Sequence, residues 1–426
     1  MMATRDGSAG RVSGQRQSRW RGRAIGVAIT GIVAVSSATS VEATPAYGRR
    51  YGVACATCHA PLPPRLNNVG ILFRKLGFRM PDANDEGRLI IKPVPAHDIG
   101  EAASVVADVA GRRDKDAELG EARTTFELSE VELVAGTAIG DRVSAQAMFV
   151  PWDDGEIELE NAEVQFNAGS PRHQWVARGG LMQTYLWQKA THGRVTLSTP
   201  LLFASRAVEG IGPFDGFGLG VNQIGAEVGY LFSRLQDGRL NSTMVTAALL
   251  NGVNGEGEGA LRNTTEGVDV YVQGVQLFGE RQTVGGFYYR GRSFLDADAD
   301  EGLPALGKQR FARYGLIGNY LLLNRFDVVA GGALGWDRSP VRLGDVRFGG
   351  VFTELDAQLT PYWIGVYRFD HVDPNRDEGG DAARAHTFST TLRADEHLYL
   401  TGEYQRRRLV DADKPWAVIV SARLVY

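Results

Sequence analysis

From about Ala102 to the C-terminus the chain runs in short apolar–polar alternations broken by Gly, Asp and Asn. Period-2 stretches predict roughly sixteen strands. They fall near 102–112, 124–138, 142–150, 156–168, 173–184, 217–231, 241–251, 267–278, 282–293, 309–322, 325–337, 347–359, 361–371, 385–394, 397–408 and 416–426. In the last of them Trp416, Val418, Val420, Ala422, Leu424 and Tyr426 form one apolar face, opposite the mixed set Ala417, Ile419, Ser421, Arg423 and Val425. Ala312, Tyr314, Leu316, Gly318, Tyr320 and Leu322 repeat the pattern opposite Arg313 and Asn319. Such strands suit a soluble sandwich or a transmembrane barrel, and their number and length favour the barrel. Tight connections such as Gly140-Asp141, Gly169-Ser170-Pro171, Gly279-Glu280-Arg281, Asn324-Arg325, Pro361 and Asp395-Glu396 alternate with long ones at 113–123, 185–216, 252–266, 294–308, 338–346, 372–384 and 409–415. Short periplasmic turns alternating with longer outer loops are the mark of an outer-membrane antiparallel β-barrel. The expected class is therefore all-β, with both barrel termini on the periplasmic side.

Upstream the period changes. Apolar residues at Leu66, Val69, Leu72, Phe73 and Leu76 have helical spacing, and Gly77 is positioned as a C-terminal cap. Pro61, Pro63 and Pro64 force an extended path before this helix. Residues 1–43 carry a basic start, an apolar stretch from Ala24 to Val35 and small residues up to Ala43, which reads as an export signal cut after Ala43 or Ala46. That stretch is too short to span a bilayer as a helix, and no later window is long enough. The expected partition is 1–43 signal peptide, 44–98 a small helical segment and 99–426 the barrel. A segment of this size is marginal as an independent domain.

Composition adds little until the cysteines are placed. The 426 residues include 53 Gly, and 46 basic side chains balance 50 acidic ones, so no polycationic surface for nucleic acid is implied. Two cysteines exclude a disulfide framework, a four-thiolate iron–sulfur cluster and an all-thiolate zinc site. No nucleophile triad or phosphate loop accompanies the strands, so no catalytic residue is assigned. Cys55-Ala56-Thr57-Cys58-His59, however, is a C-x-x-C-H, the attachment motif of c-type haem. Two thiols a turn apart can each add to a haem vinyl group, and the adjacent imidazole then caps the iron. The competing readings are a dithiol redox pair and a small disulfide. The sixth iron ligand is expected to be Met80, with His97 the alternative. The helix is expected to lay Val69, Leu72, Phe73 and Leu76 against a haem face.

A haem motif, then Pro64-Arg65-Leu66-Asn67-Asn68-Val69-Gly70 and Phe73-Arg74-Lys75-Leu76-Gly77-Phe78-Arg79-Met80, then a porin-like barrel, is an unusual order. It resembles the fused monohaem cytochrome–porins of the outer membrane, known for oxidising extracellular ferrous iron. The resemblance covers about 30 residues by motif and the barrel by architecture only. It implies thioether attachment at Cys55 and Cys58, His59 as proximal ligand, one covalent haem c, and electron transfer from an extracellular donor, ferrous iron favoured, to a periplasmic carrier such as a soluble cytochrome. A sixteen-strand lumen is not filled by its own side chains. The short haem segment is therefore expected to plug it. A solute porin whose haem segment gates or senses is the competing function. Acidic stretches Asp153-Asp154-Gly155-Glu156, Asp296 to Glu301, and Asp373 with Asp377, Glu378 and Asp381 fall in expected outer loops, where they would steer cations.

Overall fold

The computed structural model describes residues 46–95, 103–115, 122–153, 156–182, 193–203, 222–236, 238–252, 267–295, 307–338, 345–377, 379, 382–408 and 415–426. The expected signal peptide 1–43, His97, and most of the acidic loop positions lie outside them. No described helix is long and apolar enough to cross a membrane.

Among the described residues two helices come first, α1 (Ala46–Tyr51) and α2 (Asn68–Lys75), with a 3-10 turn at Cys55–Thr57 between them. A small hairpin follows, β1 (Pro81–Ala83) and β2 (Leu89–Ile91). Then come β3 (Ala103–Lys115), β4 (Ala122–Ile139), β5 (Val143–Asp153), β6 (Glu156–Ser170), β7 (His173–Met182), β8 (Gln223–Gln236), β9 (Arg239–Leu250), β10 (Asp269–Phe278), β11 (Gln282–Leu295), β12 (Gly307–Leu322), β13 (Phe326–Arg338), β14 (Asp345–Thr360), β15 (Trp363–Asp373), β16 (Ala383–Arg393), β17 (Leu398–Arg408) and β18 (Trp416–Val425). These sixteen strands, β3 to β18, close into one antiparallel barrel, with β18 paired to β3 along Val425↔Val106 to Trp416↔Lys115.

All sixteen expected strands are present. The poorest match is β8, expected at 217–231 and found at Gln223–Gln236; the Gly-Phe-Gly-Leu alternation at 216–219 suggested an earlier start. Alternation sets the two faces of the wall. Val420, Leu316, Tyr320, Trp175 and Val228 face outward and are exposed, while Ser421, Arg313, Asn319, Gln174 and Glu227 are buried inside. Ala312, expected on the outer face, is buried. The tight turns all lie at one end, and the chain enters β3 and leaves β18 there.

The lumen is filled in two ways. One filler is the N-terminal segment. The other is residues 193–203, part of the connection expected to be an outer loop, which instead turn inward. Leu197 and Ser198 donate their backbone N–H groups to Glu403 at 2.7 and 2.9 Å, and Arg368 reaches the Ser198 carbonyl at 2.9 Å. Leu201, Leu202 and Phe203 join the same buried apolar cluster as Leu72 of α2 and Leu76 just after it.

Candidate functional site

The Cys55–His59 motif is wound into its 3-10 turn by backbone bonds from Cys58 N and His59 N to the Cys55 carbonyl, at 3.1 and 2.9 Å. Both cysteines are free thiols, partly buried. Burial raises both, Cys58 to about 11. The His59 Nδ1 atom is buried without a hydrogen-bond partner. Desolvation pulls the ring down to about 4, and the backbone of Arg65 and Pro64 offsets only part of this. The imidazole is thus held neutral, the form that ligates metal.

Asn67 joins this motif to α2. Its Oδ1 accepts from Gly70 N at 2.9 Å as the helix N-cap, while its Nδ2 donates to the Thr57 carbonyl at 3.0 Å. Its own N–H donates to the Cys58 carbonyl at 2.9 Å. The approach is so close that a Cβ on Gly70 would come within 2.4 Å of the Cys58 carbonyl oxygen. At the other end, Phe78 N to Phe73 O at 2.9 Å and Gly77 N to Arg74 O at 3.0 Å make a Schellman closure with Gly77 at φ 68°. That closure turns the chain so that Met80 packs with Phe73, Phe78 and Cys58. Met80 is 6% exposed.

Cys55, Cys58, His59 and Met80 line one cavity of about 720 Å³, within the range of about 300–1,000 Å³ for cofactor sites. The residues fit a c-type haem: two free thiols one turn apart, an orphaned imidazole nitrogen and a thioether, all on a mostly apolar space. The expected helix face needs correcting. Phe73 lines the cavity with Gly70 and Ile71, whereas Leu72 and Leu76 pack in the cluster shared with the barrel wall, and Val69 packs in the Met80 cluster without lining the cavity. Cys55 lies close enough to the β16–β17 turn to feel Glu396 and Arg393, which puts the motif at the end where the tight turns lie. Among the described residues no cluster of carboxylate, thiolate and imidazole groups is arranged to hold a free metal ion. Of the acidic positions, Asp377 is engaged by Arg347, with Nε–Oδ1 at 2.7 Å.

Three attachments went unread in the sequence, and they hold the N-terminal segment to different walls. Arg65 forms ion pairs with Glu354 and Asp356 on β14, all three buried, and donates from Nε to the Gly193 carbonyl at 3.3 Å. Lys75 Nζ meets Glu227 on β8 at 2.9 Å, and Glu227 continues through Arg178 at 3.1 Å to Glu163 at 2.7 Å. Desolvation lowers Lys75 to about 8 despite the attraction of Glu227. Asn68 donates to the carbonyls of Gly279 and Gln282 at 3.0 and 2.8 Å, holding the β10–β11 turn. Their partners are 128 to 291 residues away, so no local pattern announces them.

No family model matches the chain, and no curated protein matches it. Among solved structures it is similar to the anion-selective porin from Comamonas acidovorans, at 12% identity over 76% of this chain and 98% of that one, with a TM-score of 0.54. It is also similar to the outer membrane channel DcaP of Acinetobacter baumannii, at 9% identity over 76% of this chain and 97% of that one, TM-score 0.49. OmpT of Vibrio cholerae matches at 9% over 78% of this chain and 100% of that one, TM-score 0.49. At such identities the likeness to the Comamonas porin establishes the fold alone: this is a porin-like, sixteen-stranded antiparallel barrel with a short helical segment at its N-terminus.

Proposed function

We propose that the chain is an outer-membrane electron-transfer protein holding one haem c inside its barrel, between an extracellular donor and a soluble periplasmic carrier. Ferrous iron is the favoured donor, which would make the overall reaction a ferrous iron oxidation. The carrying observation is the single cavity in which two free thiols, the orphaned His59 nitrogen and Met80 meet inside a barrel lumen. Cys55 and Cys58 would bind the macrocycle covalently, His59 would be its proximal ligand and Met80 its distal one. When bound, the haem supplies one-electron redox chemistry.

The chain's own residues supply position. A hydrocarbon core is about 30 Å thick, so a cofactor hung below the barrel could not meet a donor outside. Arg65, Asn68 and Lys75 instead fix the segment within the lumen. An outward apolar wall and the tight-turn polarity support placement in an outer membrane with the motif toward the periplasm. The deciding experiment is optical spectroscopy of the purified protein titrated anoxically with ferrous iron. The reduced c-type bands should grow with added iron; an unchanged spectrum that dithionite still converts would remove iron as donor.

Met80 ligation carries its own prediction. A Met ligand raises the potential relative to a second His, so Met80→Ala should lower the potential and alter both oxidised and reduced spectra. If instead Met80→Ala changes neither while His97→Ala changes both, the sixth ligand is His97. The similarity to the Comamonas porin supports a second reading, a solute porin with a haem-bearing gate or sensor, which conductance measurements discriminate.

A further inference from the structure

The outer wall carries a cluster that the lumen chemistry does not use. Where β7, β8 and β9 reach the tight-turn end, Arg172 just before β7, Arg234 on β8 and Arg239 on β9 are all exposed. Arg172 precedes β7 and accepts a backbone bond from Ser233 at 2.9 Å. Arg234 pairs in register with Asn241, and Arg239 with Gln236. Next to them is an outward aromatic nest. The Arg172 guanidinium lies 5.1 Å from the Phe232 ring centroid. The exposed His173 shares a 2.6 Å hydrogen bond with the Tyr230 hydroxyl, and its ring is 5.1 Å from Phe232. Trp175 stands 5.0 Å from Tyr230 and is 62% exposed. The outward positions of β6 to β9 over this stretch, from Phe166 to Ser170, His173 to Ala177, Val228 to Gln236 and Arg239 to Val245, hold no carboxylate; Asp237, in the β8–β9 turn, lies outside the described residues.

Trp and Tyr on a barrel's outer face mark the level where acyl chains give way to headgroups. Arginines just beyond that level sit where phosphodiesters lie, and the planar guanidinium binds phosphate through paired N–H donors. From this arrangement we infer that Arg172, Arg234 and Arg239 form a binding site for the headgroup of an anionic phospholipid in the periplasmic leaflet, whose glycerol and upper acyl chain lie along Trp175, Tyr230 and Phe232. The inference rests on the membrane placement proposed above and is independent of the haem. The arginines anchor the phosphate, Phe232 holds Arg172 flat against the wall by a cation–π contact, and the hydrogen-bonded His173–Tyr230 pair offers polar atoms at the headgroup border.

The test uses the full-length protein in micelles doped with brominated phosphatidylglycerol or brominated phosphatidylcholine, reading quenching of tryptophan fluorescence. The Trp175 contribution is isolated by difference from Trp175→Phe. It should be quenched at about tenfold lower mole fraction by the anionic lipid than by the zwitterionic one, the size expected for a few arginines at a charged surface. Arg172→Gln/Arg234→Gln/Arg239→Gln should abolish the preference, and the triple Lys variant should retain most of it, both keeping heat-modifiable migration. Equal quenching by the two lipids in the parent, or an undiminished preference in the triple Gln variant, would each overturn the site. Absence of Trp175 quenching by either lipid would instead count against the membrane placement itself.

Discussion

Replacing Cys55 and Cys58 together by Ala is expected to remove all covalently bound haem while leaving a heat-modifiable barrel in the outer-membrane fraction. The two properties separate because the thiols make no hydrogen bond that holds the wall, whereas barrel closure depends on the β3–β18 ladder. The check is haem staining after denaturing electrophoresis, run beside the unboiled sample. Staining that survives in the double variant would end the haem assignment. A single Cys55→Ala or Cys58→Ala change should leave reduced staining through the remaining thioether. The His59→Ala variant should retain attachment but lose its normal absorption bands, since His59 is assigned to the iron and not to a covalent bond.

Freeing the N-terminal segment from the wall has the second large effect. The parent should pass no steady current in planar bilayers, because this segment and residues 193–203 occupy the lumen. Arg65→Ala with Lys75→Ala removes the cationic side of two buried attachments on opposite parts of the wall, to β14 and to β8. Breaking a buried pair by deleting one partner costs about 3–5 kcal/mol, since the carboxylates left behind stay desolvated. Glu354 keeps Arg368 at 3.7 Å and Glu227 keeps Arg178 at 3.1 Å, which reduces that cost. The double variant should therefore show frequent openings where the parent shows none. A parent that already conducts steadily with haem bound would favour the solute-porin reading over electron transfer.

The barrel was legible because each strand repeats one rule, apolar outward and polar inward, and because tight turns such as Gly279-Glu280-Arg281 announce themselves. The C-x-x-C-H at Cys55–His59 was legible because its five residues are contiguous. What escaped depends on distant partners. Nothing local in the sequence marks Arg65 and Lys75 as buried, yet both lie against acids on strands that only the closed barrel brings near. The β1–β2 hairpin, two three-residue strands around Asn84 to Gly87, is too short to show a period. Residues 193–203 looked like an outer loop because their length carries no sign of direction; Val195, packed with Leu62, Ile364 and Val366, decides it. Asn67, which no periodicity singles out, joins the Cys55–His59 motif to its helix.

The seam where the barrel closes also bears on how the molecule is assembled. The N-terminal segment begins at that seam: Ala46 N donates to Ser104 Oγ at 2.9 Å, and Arg49 both reaches the Ala103 carbonyl at 3.0 Å and stacks 5.8 Å from the ring of Tyr426, the last residue. Its other holds are on β4 at Thr137, β8 at Glu227, the β10–β11 turn and β14. No partial sheet presents all of them. The first residues of the described chain thus find their complete seat only after β18 has paired with β3. Any group joined to Cys55 and Cys58 must reach them before that moment or enter afterwards through the tight-turn end.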